Sequence, residues 1–134
     1  MPKRILALML ALLCTMGSFT VVSARASDYI DCYEIKIIVL GNGQIRVMAS
    51  VNGTHGNMTQ IGIPTIALYE KNGNTFTAVA SYNSLYKYNA LSYGYYFTYD
   101  AVVGKEYRAA ASFMAMDSTG RDSRNGQSTI VIAQ

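Results

Sequence analysis

Residues 33–51 decide the fold, and they read Tyr-Glu-Ile-Lys-Ile-Ile-Val-Leu-Gly-Asn-Gly-Gln-Ile-Arg-Val-Met-Ala-Ser-Val. Apolar residues largely alternate with charged or polar ones on both sides of a central Gly-Asn-Gly. A period of two is typical of a strand with one buried face. Glycine and asparagine tolerate the positive φ angles of a tight turn. The stretch therefore predicts a β-hairpin that turns at Gly41-Asn42-Gly43.

The rest of the chain continues in the same manner. Strands are predicted at about 33–39, 45–51, 65–70, 75–82, 95–99, 107–115 and 128–133. Lys71-Asn72-Gly73-Asn74 is a strong hairpin turn signal, whereas 52–60 and 117–127 are rich in small polar residues and are predicted loops. Seven short strands in about a hundred residues indicate an all-β, antiparallel, two-sheet sandwich.

The first 26 residues have the three parts of a secretory signal peptide: a basic start, an uncharged apolar run at 5–16, and small residues at Ala24 and Ala26. The apolar run is shorter than the roughly 20 residues that span a bilayer. We expect cleavage after Ala26, which leaves one β-sandwich domain at 27–134. The product is expected to be secreted to the extracellular space, without a membrane partner after the leader is removed.

Charge and cysteine content limit the partners further. Removing Lys3, Arg4 and Arg25 changes the formal net charge from +3 to zero, with eight basic and eight acidic residues left. A neutral domain has no electrostatic reason to bind nucleic acid. Cys32 is the only cysteine after the leader. A monomer with a buried thiol is the first expectation, and a Cys32-linked dimer is the alternative.

Residue types that support catalysis or metal binding are scarce. His55 is the only histidine, which excludes a two-histidine metal site, and no Gly-x-Ser-x-Gly nucleophile motif occurs. Asp117 and Asp122 flank Gly120 without the alternating oxygen ligands of a calcium loop. We therefore expect a protein that is not an enzyme and that has neither metal nor cofactor.

Residues 102–120 resemble the end of a fibronectin type III or related immunoglobulin-like domain. They contain Val-Val-Gly-Lys-Glu-Tyr-Arg-Ala-Ala-Ala at 102–111 and Ala-Met-Asp-Ser-Thr-Gly at 115–120. In that family a hydrophobic residue, a Gly and then a Tyr open the sixth strand, and a Gly-containing hairpin closes it. The resemblance implies a seven-stranded immunoglobulin-like sandwich in which Gly104 and Tyr107 are structural. Tyr107 would form the tyrosine corner, with its hydroxyl bonded to a backbone group upstream. In length and style the chain also resembles small secreted bacterial proteins.

The most unusual feature is a tyrosine-rich segment at 82–99, which holds seven of the eleven tyrosines. Ser, Asn and Gly are interleaved with them, a composition shared with antibody paratopes. Alternation predicts that Tyr95 and Tyr99 face the core. The tyrosines left as candidates for an exposed binding surface are Tyr82, Tyr86, Tyr88, Tyr93 and Tyr96.

Three functions fit these features. The first is a secreted, non-catalytic binding protein whose partner is a protein or a glycan. The second is a carbohydrate-binding module that stacks sugar rings on the exposed tyrosines. The third is a small enzyme or enzyme inhibitor, which would need a pocket that brings His55 to an acid or a nucleophile. If the tyrosines only pack the sandwich, the functional surface lies elsewhere.

Overall fold

The structure, a computed structural model, describes residues 27–134. The predicted signal peptide and its cleavage site lie outside the described residues. These residues form eight β-strands. No helix in this part of the chain is long and apolar enough to cross a membrane. The strands are β1 (Ile30–Gly41), β2 (Gln44–Gly53), β3 (Met58–Asn72), β4 (Thr75–Ala90), β5 (Ser92–Asp100), β6 (Glu106–Asp117), β7 (Gly120–Gln127) and β8 (Val131–Ile132).

The strands form two antiparallel sheets. One sheet has three strands in the order β1-β2-β5. The other has five strands: β4, β3, β6 and β7 lie side by side in that order, and β8 also pairs with β6. Strands β4 and β5 are consecutive in the chain but belong to different sheets, so the chain changes sheet at Leu91. The all-β, two-sheet architecture predicted from the sequence is confirmed.

The predicted first hairpin is the pair β1 and β2, in which Tyr33 lies opposite Val51 and Val39 opposite Ile45. The φ angles at its turn are +84° at Gly41, +54° at Asn42 and +76° at Gly43. Three successive residues with positive φ require glycine or asparagine, because other side chains are strained there. The turn sequence therefore fixes the register of the hairpin.

The predicted count of seven strands differs from the observed eight, and the difference lies in the polar segment 117–127. Only Ser118 and Thr119 form a turn, and the following eight residues pair with β6 as strand β7. This strand is at the edge of its sheet. An edge strand needs few apolar side chains because it covers only the rim of the core, so its polar sequence resembles that of a loop.

Two other boundaries also differ from the prediction. The loop expected at 52–60 is shortened to residues 54–57, because β2 and β3 extend into it. The last strand, expected at 128–133, is reduced to Val131–Ile132, which pairs with the start of β6. Strands β7 and β8 therefore lie one after the other along β6.

The core lies between the two sheets. Every second residue of β2 points into it, and the same holds on each side of an irregularity in β3. The aliphatic side chains with no exposed surface on these two strands are Ile45, Val47, Val51, Ile61, Ile63, Ile66 and Leu68. Burying each such side chain contributes about 1.5–3 kcal/mol. Strand β6 adds Tyr107 and Phe113, which are also fully buried.

Tyr107 is at the centre of a hydrogen-bond network. Its hydroxyl oxygen accepts from the backbone N–H of Val102 at 2.8 Å and donates to Glu70 Oε2 at 2.8 Å. Glu70 is buried, and its other oxygen accepts from Lys105 Nζ at 2.8 Å. Val102 lies five residues before Tyr107 in the chain. Gly104, which lies between Val102 and Lys105 in the chain, has a φ of +89°.

The network also shifts two pKa values. Hydrogen bonds from Lys105 and then from Tyr107 lower the pKa of Glu70 below its ordinary value, so the carboxylate stays ionised although it is buried. Burial, and then the neighbouring Glu70 carboxylate, raise the pKa of Tyr107 to about 12. The ionised carboxylate and the neutral phenol are therefore the paired forms in the folded domain.

Alkaline pH should destabilise the domain through Tyr107. The unfolded chain releases this proton near pH 10, whereas the folded chain retains it until about pH 12. The contribution of Tyr107 to the free energy of unfolding is complete below pH 10 and falls by about 1.4 kcal/mol per pH unit between pH 10 and about pH 12. Denaturant titrations followed by circular dichroism across this interval measure the decline. Tyr107→Phe should decline less steeply, and equal slopes in the two proteins would contradict the assignment.

Candidate functional site

The tyrosine-rich segment does not form one surface. The chain changes sheet at Leu91, and side chains alternate along β4 and β5. As a result, the five candidate tyrosines are divided among three places. Tyr82 and Tyr93 lie at the opening between the sheets, Tyr86 and Tyr88 lie on the outer face of the five-stranded sheet, and Tyr96 lies on the outer face of the three-stranded sheet.

The predicted exposure of Tyr93 is corrected by the structure. Tyr93 is half-buried and packs against the core, because it has the same parity along β5 as Tyr95 and Phe97. Tyr82 keeps 40% of its surface exposed, yet its ring centroid lies 4.9 Å from that of Phe97 and 5.6 Å from that of Tyr95. Burial raises the pKa of Tyr95. These rings close one side of the sandwich.

Tyr86 and Tyr88 have different environments on the same strand. Tyr88 is 66% exposed. Tyr86 is half-buried, and its ring covers Gly62 on the neighbouring strand β3. Tyr86 therefore contributes to packing on the outside of the sheet, whereas Tyr88 extends into solvent.

Tyr96 is in the environment best suited to a partner. Its side chain is 62% exposed, and the guanidinium carbon of Arg46 lies 5.2 Å from its ring centroid. This is the geometry of a cation–π contact. Met48 lies directly opposite Tyr96 in the strand register and also opposite Lys36 on the other neighbouring strand. An aromatic ring, a stacked cation and a flexible thioether are thus adjacent on an open sheet face.

A depression of about 370 Å³ lies beside Tyr96. Gly94 and Ser50 face each other in its lining, and the missing side chain at Gly94 leaves the space open. Glu34 and Lys36 also line it, with 3.7 Å between Glu34 Oε1 and Lys36 Nζ. Charged groups are therefore part of the depression as well as aromatic surface.

The outer face of the three-stranded sheet also exposes aliphatic residues. Ile38 is 38% exposed and Leu40 is 42% exposed, both on the outward side of β1. Ile38 lies opposite Arg46 in the register. We call the set Ile38, Leu40, Arg46, Met48 and Tyr96 the Tyr96 face. Of this set, only Tyr96 was predicted from the sequence. The outward positions of β1 change from the charged Glu34 and Lys36 to the apolar Ile38 and Leu40, and this change was a signal for an exposed apolar surface.

The other chemically reactive residues that the structure describes are not assembled into a site. Cys32 is half-buried on β1, and its sulfur accepts from Asn52 Nδ2 at 3.1 Å. Hydrogen bonds from the Thr119 hydroxyl and then the Thr119 amide lower the pKa of the Asp117 carboxyl, and the nearby His55 also lowers it. In residues 27–134 no group of three His, Cys, Asp or Glu side chains is placed to hold a metal ion.

Comparisons with known proteins give a structural likeness but no family. No protein-family model matches the chain. No curated protein matches it either. A solved structure titled "Structure of FN3tt mut" is similar to this chain, with 15% sequence identity, a TM-score of 0.29, and coverage of 73% of this chain and 88% of that chain.

Proposed function

We propose that this protein is an exported, non-catalytic binding module that holds a protein partner against the Tyr96 face. The observation that carries the proposal is the exposed ring of Tyr96, held by Arg46 beside an open depression. A side chain that is already ordered loses less conformational entropy on binding. The stacked pair is therefore suited to anchor a partner.

The composition of the Tyr96 face favours a protein partner. Tyrosine, arginine and methionine are the residue types enriched at the centres of protein interfaces. Ile38 and Leu40 extend the apolar centre, while Glu34 and Lys36 supply a polar rim. An apolar centre within a polar rim is the usual anatomy of a protein–protein contact.

We further propose that the domain is an immunoglobulin-like sandwich of the fibronectin type III kind. The sheet orders β1-β2-β5 and β4-β3-β6-β7 support this, with β7 and β8 together acting as the seventh strand. The bond from the Val102 amide to the Tyr107 hydroxyl is consistent with a tyrosine corner. Export rests on the leader predicted at 1–26.

The function is tested by the change Tyr96→Ser, with Tyr88→Ser as the matched control. The two tyrosines are exposed to a similar degree, 62% and 66%, but lie on different sheets. Wild-type and variant proteins are immobilised and exposed to the surface and culture-fluid proteins of the producing organism. A protein retained by the wild type is then purified and titrated against all three. We expect Tyr96→Ser to weaken its affinity at least tenfold, about 1.4 kcal/mol or more.

The control defines the contrary result. Tyr88→Ser should bind the purified partner with wild-type affinity, and both variants should keep the wild-type melting temperature. Equal affinity for Tyr96→Ser and the wild type would mean that the Tyr96 face is not the contact surface. The same conclusion would follow if Tyr88→Ser alone lost the partner.

A further inference from the structure

A second depression lies on the outer face of the five-stranded sheet, on the side of the domain opposite the Tyr96 face. Its volume is about 370 Å³. The floor is formed by the central strands β3 and β6 and the sides by the edge strands β4 and β7. We call it the five-strand groove, and its outward-facing residues are Thr65, Ala67, Tyr69, Ser81, Asn83, Ala110, Ser112, Asn125 and Gln127.

The shape of the groove follows from the strand register. Ala67 lies opposite Ala110, which in turn lies opposite Gln127 at the edge of the sheet. Alanine is uncommon in strands, where larger β-branched and aromatic side chains pack better. Ala67 also lies opposite Ser81 on the edge strand β4. A row of small side chains from Ser81 to Ala110, bounded by Gln127 at the β7 edge and by Tyr69 and Asn83 along the strands, therefore leaves the face depressed here.

The chemistry of the groove is that of a site for a neutral ligand with many hydroxyl groups. None of the side chains that line it is charged. Asn83, Asn125 and Gln127 are exposed at its rims, and each amide offers both donors and an acceptor. The nearest cation, Arg108, lies opposite Tyr69 and is stacked on Phe76, so an acidic ligand along the rest of the groove would lose hydration without meeting a cation, which is costly. A neutral carbohydrate would meet a donor and an acceptor at both rims.

The floor of the groove is held in place by its own hydrogen bonds. Thr65 Oγ1 lies 2.8 Å from Ser112 Oγ, which also accepts from the backbone N–H of Thr65 at 3.0 Å. These hydroxyl groups are already paired with each other. Contacts to a ligand are therefore left mainly to the amides at the rims and to Tyr69.

An aromatic ring lies at one end of the groove, which Tyr69 lines. Tyrosine presents a flat apolar ring with a polar tip, the type of surface on which sugar rings stack. Along β3 the lining extends from Tyr69 to Thr65, four residues or about 13 Å. That length fits a short run of sugar rings better than one sugar.

We propose that the five-strand groove binds an uncharged polysaccharide, with the chain running along β3 and β6 from Tyr69 towards Thr65 and Ser112. This site is separate from the Tyr96 face and uses a different sheet. The domain would then attach to a neutral glycan through one face while the other face remains open to a protein partner.

The proposal is tested with the purified exported protein and soluble polysaccharides. Neutral xylan, mannan and β-glucan, and acidic polygalacturonate and heparin, are compared by affinity electrophoresis, and the best ligand is titrated by calorimetry. We expect binding to at least one neutral polymer. Ala110→Ile should weaken it at least tenfold, because the added side chain fills the floor while isoleucine suits a strand. Thr98→Ile, the same kind of change on the other sheet, should leave it unchanged.

A second pair of variants tests the aromatic end of the groove. Tyr69→Ala should weaken binding to the same neutral polymer, whereas Tyr69→Phe should retain most of it because the ring remains. Failure to bind every neutral polymer, binding to the acidic polymers alone, or equal binding by Ala110→Ile would overturn the proposal. None of these results bears on the Tyr96 face, whose own test uses Tyr96→Ser.

Discussion

Replacing Tyr107 by Phe is expected to lower the free energy of unfolding by about 1–3 kcal/mol. The change removes one hydroxyl from a fully buried ring, which takes away the acceptor of the Val102 amide and one of the donors to the Glu70 carboxylate. Unpaired buried polar groups lose their hydration without replacement. Because Glu70 is an ionised carboxylate held beside Lys105, we expect the loss to lie towards the upper end of this range.

Tyr86→Phe is the matched control for this prediction. Tyr86 is half-buried on the outer face of its sheet, where its ring covers Gly62, so removal of its hydroxyl should change stability by less than about 0.5 kcal/mol. Urea denaturation of the two variants and the wild type provides the comparison. Similar losses in both variants would show that the buried hydroxyl network is not what makes Tyr107 important.

The hairpins were predictable because their signals are local. Asn42 and the glycines on either side of it carry the turn of the first hairpin, and Gly73, with a φ of +63°, carries the turn between β3 and β4. Residues that require positive φ can be recognised without knowledge of the rest of the fold. The bond from Tyr107 to Glu70 was not predictable in this way, since the two residues are 37 positions apart.

The candidate site was only partly predictable, since exposure depends on the sheet to which a strand belongs. Tyr88 and Tyr96 are eight residues apart in sequence, yet the change of sheet at Leu91 places them on different faces of the domain. Alternate residues of a strand share one face, so alternation applied along the whole of β5 would have placed Tyr93 with Tyr95 in the interior. The assignment of strands to sheets is a non-local property, and a single sequence gives little information about it.

The edge strand β7 illustrates the same limit. Its residues Asp122 and Arg124 face the inner side of the sheet and are half-buried, although they are charged. Inward-facing charges at a sheet edge discourage pairing with other chains. A pattern search that expects apolar residues at inward positions interprets such a strand as a loop, so the error at 117–127 has a physical cause.

Replacing Gly62 by Ala is expected to destabilise the domain by about 1–3 kcal/mol, although Gly62 has no unusual φ. A Cβ at this position would lie 2.8 Å from the Tyr86 Cα and 2.7 Å from the Tyr86 Cδ1, and closer still to the Leu85 carbonyl oxygen. Two of these atoms are backbone atoms, so the clash can be relieved only if β3 and β4 separate.

Gly94→Ala is the control, since its Cβ would meet only the Ala49 carbonyl oxygen at 3.7 Å. The lower entropy of the unfolded chain should then leave that variant unchanged or more stable by up to about 1 kcal/mol. Thermal and urea denaturation should therefore show a loss of stability in Gly62→Ala only, and equal losses in both variants would mean that close packing of Tyr86 over Gly62 does not hold β4 in its sheet.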